Sequence, residues 1–168
     1  MRIANLRELF VHGLARARGA EEAILAALPA MEEAALDIDL KEALARRGHA
    51  GALRLRRLDQ VFERMGEAAR SSAGKGFEGV LEEGAELIAM TRDTDAADAA
   101  IVASGQGAAH LAIAAYRGLA VWAQALGLEA EARLLRRSLQ EVEAAERMLA
   151  GFASDLAEAD FMDEEDDP

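Results

Sequence analysis

The chain has no cysteine, only two prolines and 4% aromatic residues. Without cysteine there is no disulfide, no thiolate metal ligand and no thiol nucleophile, a usage that fits a reducing compartment. Before the terminal Pro168, Pro29 alone breaks the supply of helix-compatible residues. No uninterrupted apolar run approaches the roughly 18 residues of a membrane span. Arg2, Arg7 and Glu8 put charge where a signal peptide needs an apolar stretch. The expectation is a soluble, cytoplasmic protein with no membrane partner. Basic residues are also scarce: 19 Lys and Arg against 31 Asp and Glu give a net charge of −12. Nucleic acid is thereby a poor partner, because binding phosphates needs a basic surface. The one basic cluster, Arg54, Arg56, Arg57 and Arg64, sits at helical spacing and reads as a solvated helix face.

What is present favours helix. Ala, Leu and Glu dominate a chain that is 52% hydrophobic, a mixture with high helix and low strand propensity. A first helix is predicted over 3–36, with Leu6, Phe10, Leu14, Ile24, Leu28 and Met31 at three-four spacing and Pro29 expected to kink or interrupt it. The stretch Asp37-Ile38-Asp39 signals the start of a second helix over 39–65. The Ser- and Gly-rich stretch 69–76 reads as a loop, and a short helix follows over 77–90. Asp93-Thr94-Asp95 is expected to cap a helix over 96–126, and Gly127 fits the residue that ends it. The last helix is predicted over 129–156.

Two antiparallel helical hairpins joined by a segment that spans the bundle are implied. This is an all-α fold, a ferritin-like antiparallel four-helix bundle with one additional short crossover helix. The bundle is assigned to residues 1–157, and the acidic stretch 158–168 is expected to be a disordered, solubilising tail.

Glu21 breaks the pattern. It lies seven residues after Leu14 and seven before Leu28, on a seam that otherwise faces the core. A carboxylate there must be paired, protonated or metal-bound. Glu146 repeats the anomaly on the last helix. Dimetal bundles hold their ions with a Glu from each of two helices and a Glu-x-x-His pair from each of the other two. His12, His49 and His110 are the only histidines, and none stands three residues after an acid. Catalytic residues are therefore not assigned, and Glu21, His49, His110 and Glu146 are the residual metal-ligand candidates. A hydrogen bond from His49 or His110 is expected to satisfy Glu21, while His12 reads as a surface residue. Small residues crowd the same level: Gly48, Gly51 and Ala52 on the second helix, Gly105, Gly107 and Ala108 on the fourth. They imply either close helix approach or a small cavity. Glu78-Gly79-Val80-Leu81-Glu82-Glu83-Gly84 is no phosphate-binding loop, and Ser71-Ser72 has no His or Asp neighbour to make a nucleophile.

Several strings taken in order resemble the bacterial YciE/YciF family: Leu9-Phe10-Val11-His12, Ala20-Glu21-Glu22, Arg57-Leu58-Asp59-Gln60-Val61-Phe62-Glu63, the Glu78–Gly84 segment, Asp98-Ala99-Ala100-Ile101-Val102-Ala103, and Gln106, His110 and Ile113-Ala114-Ala115-Tyr116. The resemblance covers 6–149. It implies a ferritin-like fold, a dimer, an association with stress and a carboxylate-histidine site at mid-bundle. Glu21 matches that site. Where the family has a Glu-x-x-His pair on the second helix, this chain has His49 and Ala52. Where it runs Val-Glu-His-Tyr-Glu on the fourth, this chain has Ala108-Ala109-His110-Leu111-Ala112, and a family glutamate falls on Val142.

The expected protein is a non-catalytic, stress-related homodimer or scaffold with a degenerate dimetal site and no cofactor. One alternative is a reduced site binding iron or manganese and acting on peroxide or oxygen. Another is a bundle holding a small apolar ligand in its Gly/Ala-lined cavity. The dimer is expected to form through an apolar stripe on the first or fourth helix, with Tyr116 and Trp122 as its large aromatics.

Overall fold

The computed structural model describes the backbone of residues 2–165 and the side chains of residues 2–158. It has five helices: α1 (Leu6–Ala34), α2 (Ile38–Arg64), α3 (Lys75–Met90), α4 (Ala97–Ala125) and α5 (Glu129–Glu165). No strand occurs among the described residues. Asn5 opens α1 by accepting a hydrogen bond from the Glu8 amide, and Asp37 opens α2 by accepting one from the Leu40 amide. Gly127, at φ 73°, ends α4 in the left-handed conformation that glycine adopts at least cost.

Two expectations about helix ends need correction. Asp93-Thr94-Asp95 does not cap α4, whose N-cap is Ala96 without a side-chain bond. Asp98 in its first turn instead accepts from the amides of Leu36 and Asp37 at 2.8 and 2.9 Å, tying the α1–α2 turn to α4. Of the two outcomes expected at Pro29, a kink or an interruption, the interruption does not occur, since α1 continues to Ala34. Pro29 is exposed, so the carbonyl it leaves unbonded lies on the solvent side, while Leu28 and Ala34 anchor the segment in the core.

α1 packs on α2 and α4, and α5 packs on α4 and α2, closing a four-helix square with antiparallel neighbours. One half of the core is built on Phe10, Leu14, Phe62, Tyr116 and Leu135, the other on Ile24, Leu28, Leu40, Ile101 and Leu149. After α2 the chain doubles back along α1. Ser72 donates its amide to the Ala15 carbonyl at 3.0 Å, and Gly19 lets the backbone of Ser72 and Ala73 lie against α1, since a Cβ there would sit 2.3–2.6 Å from it. α3 then covers the other half of the α1–α4 groove.

α4 is long and apolar enough, by length and composition, to cross a membrane, but in this fold it is a core helix packed on α1, α3 and α5. α5 runs to Glu165, so the boundary expected between bundle and acidic tail coincides with no helix break. Residues 166–168 of that tail lie outside the described residues.

Candidate functional site at the bundle waist

Glu21 is 1% exposed, as its place on the α1 seam requires. Its partner is not a histidine. Arg54 of α2 donates from Nε to Oε1 at 2.7 Å and from Nη2 to Oε2 at 3.1 Å. The Tyr116 hydroxyl of α4 donates to the same Oε1 at 2.8 Å. Three helices thus meet on one carboxylate, with Arg54 2% and Tyr116 1% exposed. Burial would push the Arg54 guanidinium down, but the Glu21 charge and hydrogen bonds outweigh it and hold the group above its ordinary range. Burial, then the charge and hydrogen bond of Glu21, push the Tyr116 phenol well up. Arg54 Nη1 is enclosed without an acceptor.

The basic cluster is therefore not a solvated face. Arg56 and Arg64 are exposed, but Arg54 and Arg57 are buried, and Arg47 joins them. Arg57 grips Glu141 of α5 through two bonds of 2.7 and 2.8 Å and reaches Ser138. Arg64 meets the buried Glu131 of α5 at 2.6 Å. Buried positions 40, 44, 47, 51, 54, 58 and 61 follow a four-three repeat. Arginine occupies two places on that seam. The glycines make room beside it: a Cβ at Gly51 would press on Leu25, and one at Gly105 on Leu149 and Arg47.

The other candidates lie elsewhere. His49 is exposed on α2. His110 is exposed on α4, with Nδ1 on the Gln106 carbonyl at 2.9 Å and Nε2 4.0 Å from Glu146 of α5. His12 is half-buried. Of the four residual ligands only His110 and Glu146 come together, and neither bonds Glu21. Tyr116 belongs to the core rather than to an exposed aromatic stripe.

Could this waist hold a metal pair? Both Glu21 oxygens are taken by Arg54, two guanidinium charges lie nearby, and no group of three or more His, Asp or Glu residues converges among the described residues. Cationic donors of this kind repel a cation rather than bind it. The residues present do not fit the group.

Fold and site define an antiparallel helical bundle whose waist is closed by a buried guanidinium–carboxylate–phenol cluster. The family model described as a domain of unknown function, DUF892, matches residues 5–162, and the chain belongs to that family. It is homologous to protein YciF of Escherichia coli (strain K12), 29% identical over 154 residues that cover 91% of this chain and 93% of the relative. Among solved structures, the E. coli stress protein YciF superposes with a TM-score of 0.83 at 28% identity, covering 93% of this chain and 99% of that one. YcfI of Rhodopseudomonas palustris, described as a candidate structural protein, superposes with a TM-score of 0.85 at 34% identity, covering 88% and 94%. The resemblance read from the ordered strings is thereby borne out.

Proposed function

We propose that this chain is a non-catalytic, stress-related homodimer or scaffold, a ferritin-like bundle whose degenerate metal site has become an ion-pair clasp. The paired grip of Arg54 on Glu21 carries the reading. Arg54 engages both oxygens of that carboxylate and Tyr116 takes a second position on Oε1, so three of its roughly four lone-pair sites are already filled. The names of the relatives, a stress protein and a candidate structural protein, favour the same role. The dimer reading draws on the outer face of α4, where Leu111 and Val121 stand 38% and 59% exposed with Ala114 between them. Among the described residues, the alternative, a reduced metal site acting on peroxide or oxygen, draws only on the pair formed by exposed His110 and half-buried Glu146.

Two measurements test the proposal. Light scattering on the purified chain should give a dimer, and Leu111→Glu with Val121→Glu should give a folded monomer. The protein supplied with ferrous iron should consume peroxide no faster than buffer with iron alone. Consumption that depends on Glu21 would refute the non-catalytic reading, and a dimer unaffected by the double substitution would refute the α4 interface.

A further inference from the structure

Beside the waist, a cavity of about 250 Å³ lies between α1, α3 and α4. Ile24, Leu28, Met31, Val80, Leu81 and Ile88 wall it with hydrocarbon. An apolar cavity of about 150 Å³ already admits benzene, so this one takes a somewhat larger body. Arg92 lies at its edge, where Glu33 pairs with it at 2.7 Å.

The anomaly is Arg47, which reaches this cavity from α2 and is 7% exposed. Nη1 donates to the Gly105 carbonyl at 3.3 Å, the one hydrogen bond this side chain makes among the described residues. Among the described residues no carboxylate pairs with it. Burial, aggravated by the charge of Arg54, lowers its pKa to about 10, with Glu21 opposing. It is still cationic at neutral pH. Glu21 is already engaged by Arg54, and Arg57 by Glu141, so the waist holds one buried positive charge too many. A buried, unpaired charge is among the costliest features a fold can carry. Ser104 also lines the cavity. Its hydroxyl donates to the Ala100 carbonyl at 2.8 Å, which leaves an oxygen lone pair free.

We propose that this cavity binds a small amphipathic carboxylate, its anionic end on the Arg47 guanidinium and its apolar body among Leu28, Met31, Leu81 and Ile88. A guanidinium presents a planar fork that fits a carboxylate through two bonds. The few polar groups in an otherwise apolar pocket set the ligand's orientation. The occupant supplies the missing negative charge and fills the hydrocarbon space together. A neutral apolar molecule would do only the second.

Calorimetric titration of the purified full chain with octanoate, and separately with octan-1-ol, tests this. Saturable one-to-one binding of octanoate is expected, with octan-1-ol at least about tenfold weaker, the worth of a charge-assisted hydrogen bond. Arg47→Met should erase the preference for the acid while far-ultraviolet circular dichroism stays unchanged. Ala108→Leu, which fills the cavity from α4 without touching the charge, should weaken both probes. The proposal is overturned by failure of octanoate to saturate, by equal affinity for the two probes, by a preference for the acid that survives Arg47→Met, or by undiminished binding of both probes in Ala108→Leu.

Discussion

Replacing Glu21 by alanine should be among the most damaging single changes in this protein. The substitution strands Arg54 in the core beside Arg47, with only the weaker field of more distant acids to offset either charge. It also takes the acceptor from the Tyr116 hydroxyl. Removing one partner of a buried ion pair costs about 3–5 kcal/mol, because the other charge stays behind uncompensated. With a urea dependence of about 2 kcal/mol per molar, a loss of about 4 kcal/mol moves the unfolding midpoint down by about 2 M. Urea unfolding followed by circular dichroism at one fixed protein concentration reads this directly. The pair itself is worth much less than its rupture. Glu21→Leu with Arg54→Met should lie close to wild type or above it, since apolar replacement of a buried pair is often neutral or stabilising. A double-mutant cycle on these two positions should therefore return a large favourable coupling. Loss of under about 1 kcal/mol in Glu21→Ala, or additive single effects, would refute the argument that the two side chains hold each other in the core.

Tyr116 is the sole tyrosine, so phenolate absorbance reports on it alone. Burial first, then the Glu21 charge, keeps it protonated well above the ordinary value of about 10. The folded chain then holds a proton that the unfolded chain releases, so this contribution to stability is complete below about pH 10 and falls as pH rises further. Phenolate should appear together with unfolding rather than before it. Gly19→Ala should destabilise by about 1–3 kcal/mol in thermal unfolding, because its Cβ would collide with the backbone of Ser72 and Ala73. Gly79→Ala, on the open side of α3 with nothing within 4 Å, should stabilise by about 0.5–1 kcal/mol. Asp98→Ala should cost about 1–3 kcal/mol by leaving the Leu36 and Asp37 amides without their acceptor; an unchanged melting temperature would contradict that tie.

Helix order, turn positions and the burial of Glu21 were all legible, because three-four apolar spacing and short capped turns are local properties. The partner of Glu21 was not read, for a physical reason. Arginine is rarely buried, so Arg47 and Arg54 pass for surface residues. A signal was nevertheless present. The four-three repeat through Leu40, Leu44, Gly51 and Leu58 runs through both arginines, and folding at 35–37 sets Glu21 opposite the stretch around Arg54. A lone core acid on one helix and a core arginine at the matching level of its hairpin partner are complementary. The cap of α4 was misread for a different reason. Asp93-Thr94-Asp95 has capping composition, but Asp93 takes up φ 60° and the chain turns before the helix begins at Ala97.

Arg54 holds the two Glu21 oxygens that a metal at the waist would need. Elemental analysis of the full chain, after loading with ferrous iron or manganese and desalting, measures most directly whether those oxygens are closed to an ion. Far less than one ion per chain, with no difference between wild type and Glu21→Gln, is the predicted outcome. One or two ions per wild-type chain, lost in Glu21→Gln, would contradict it.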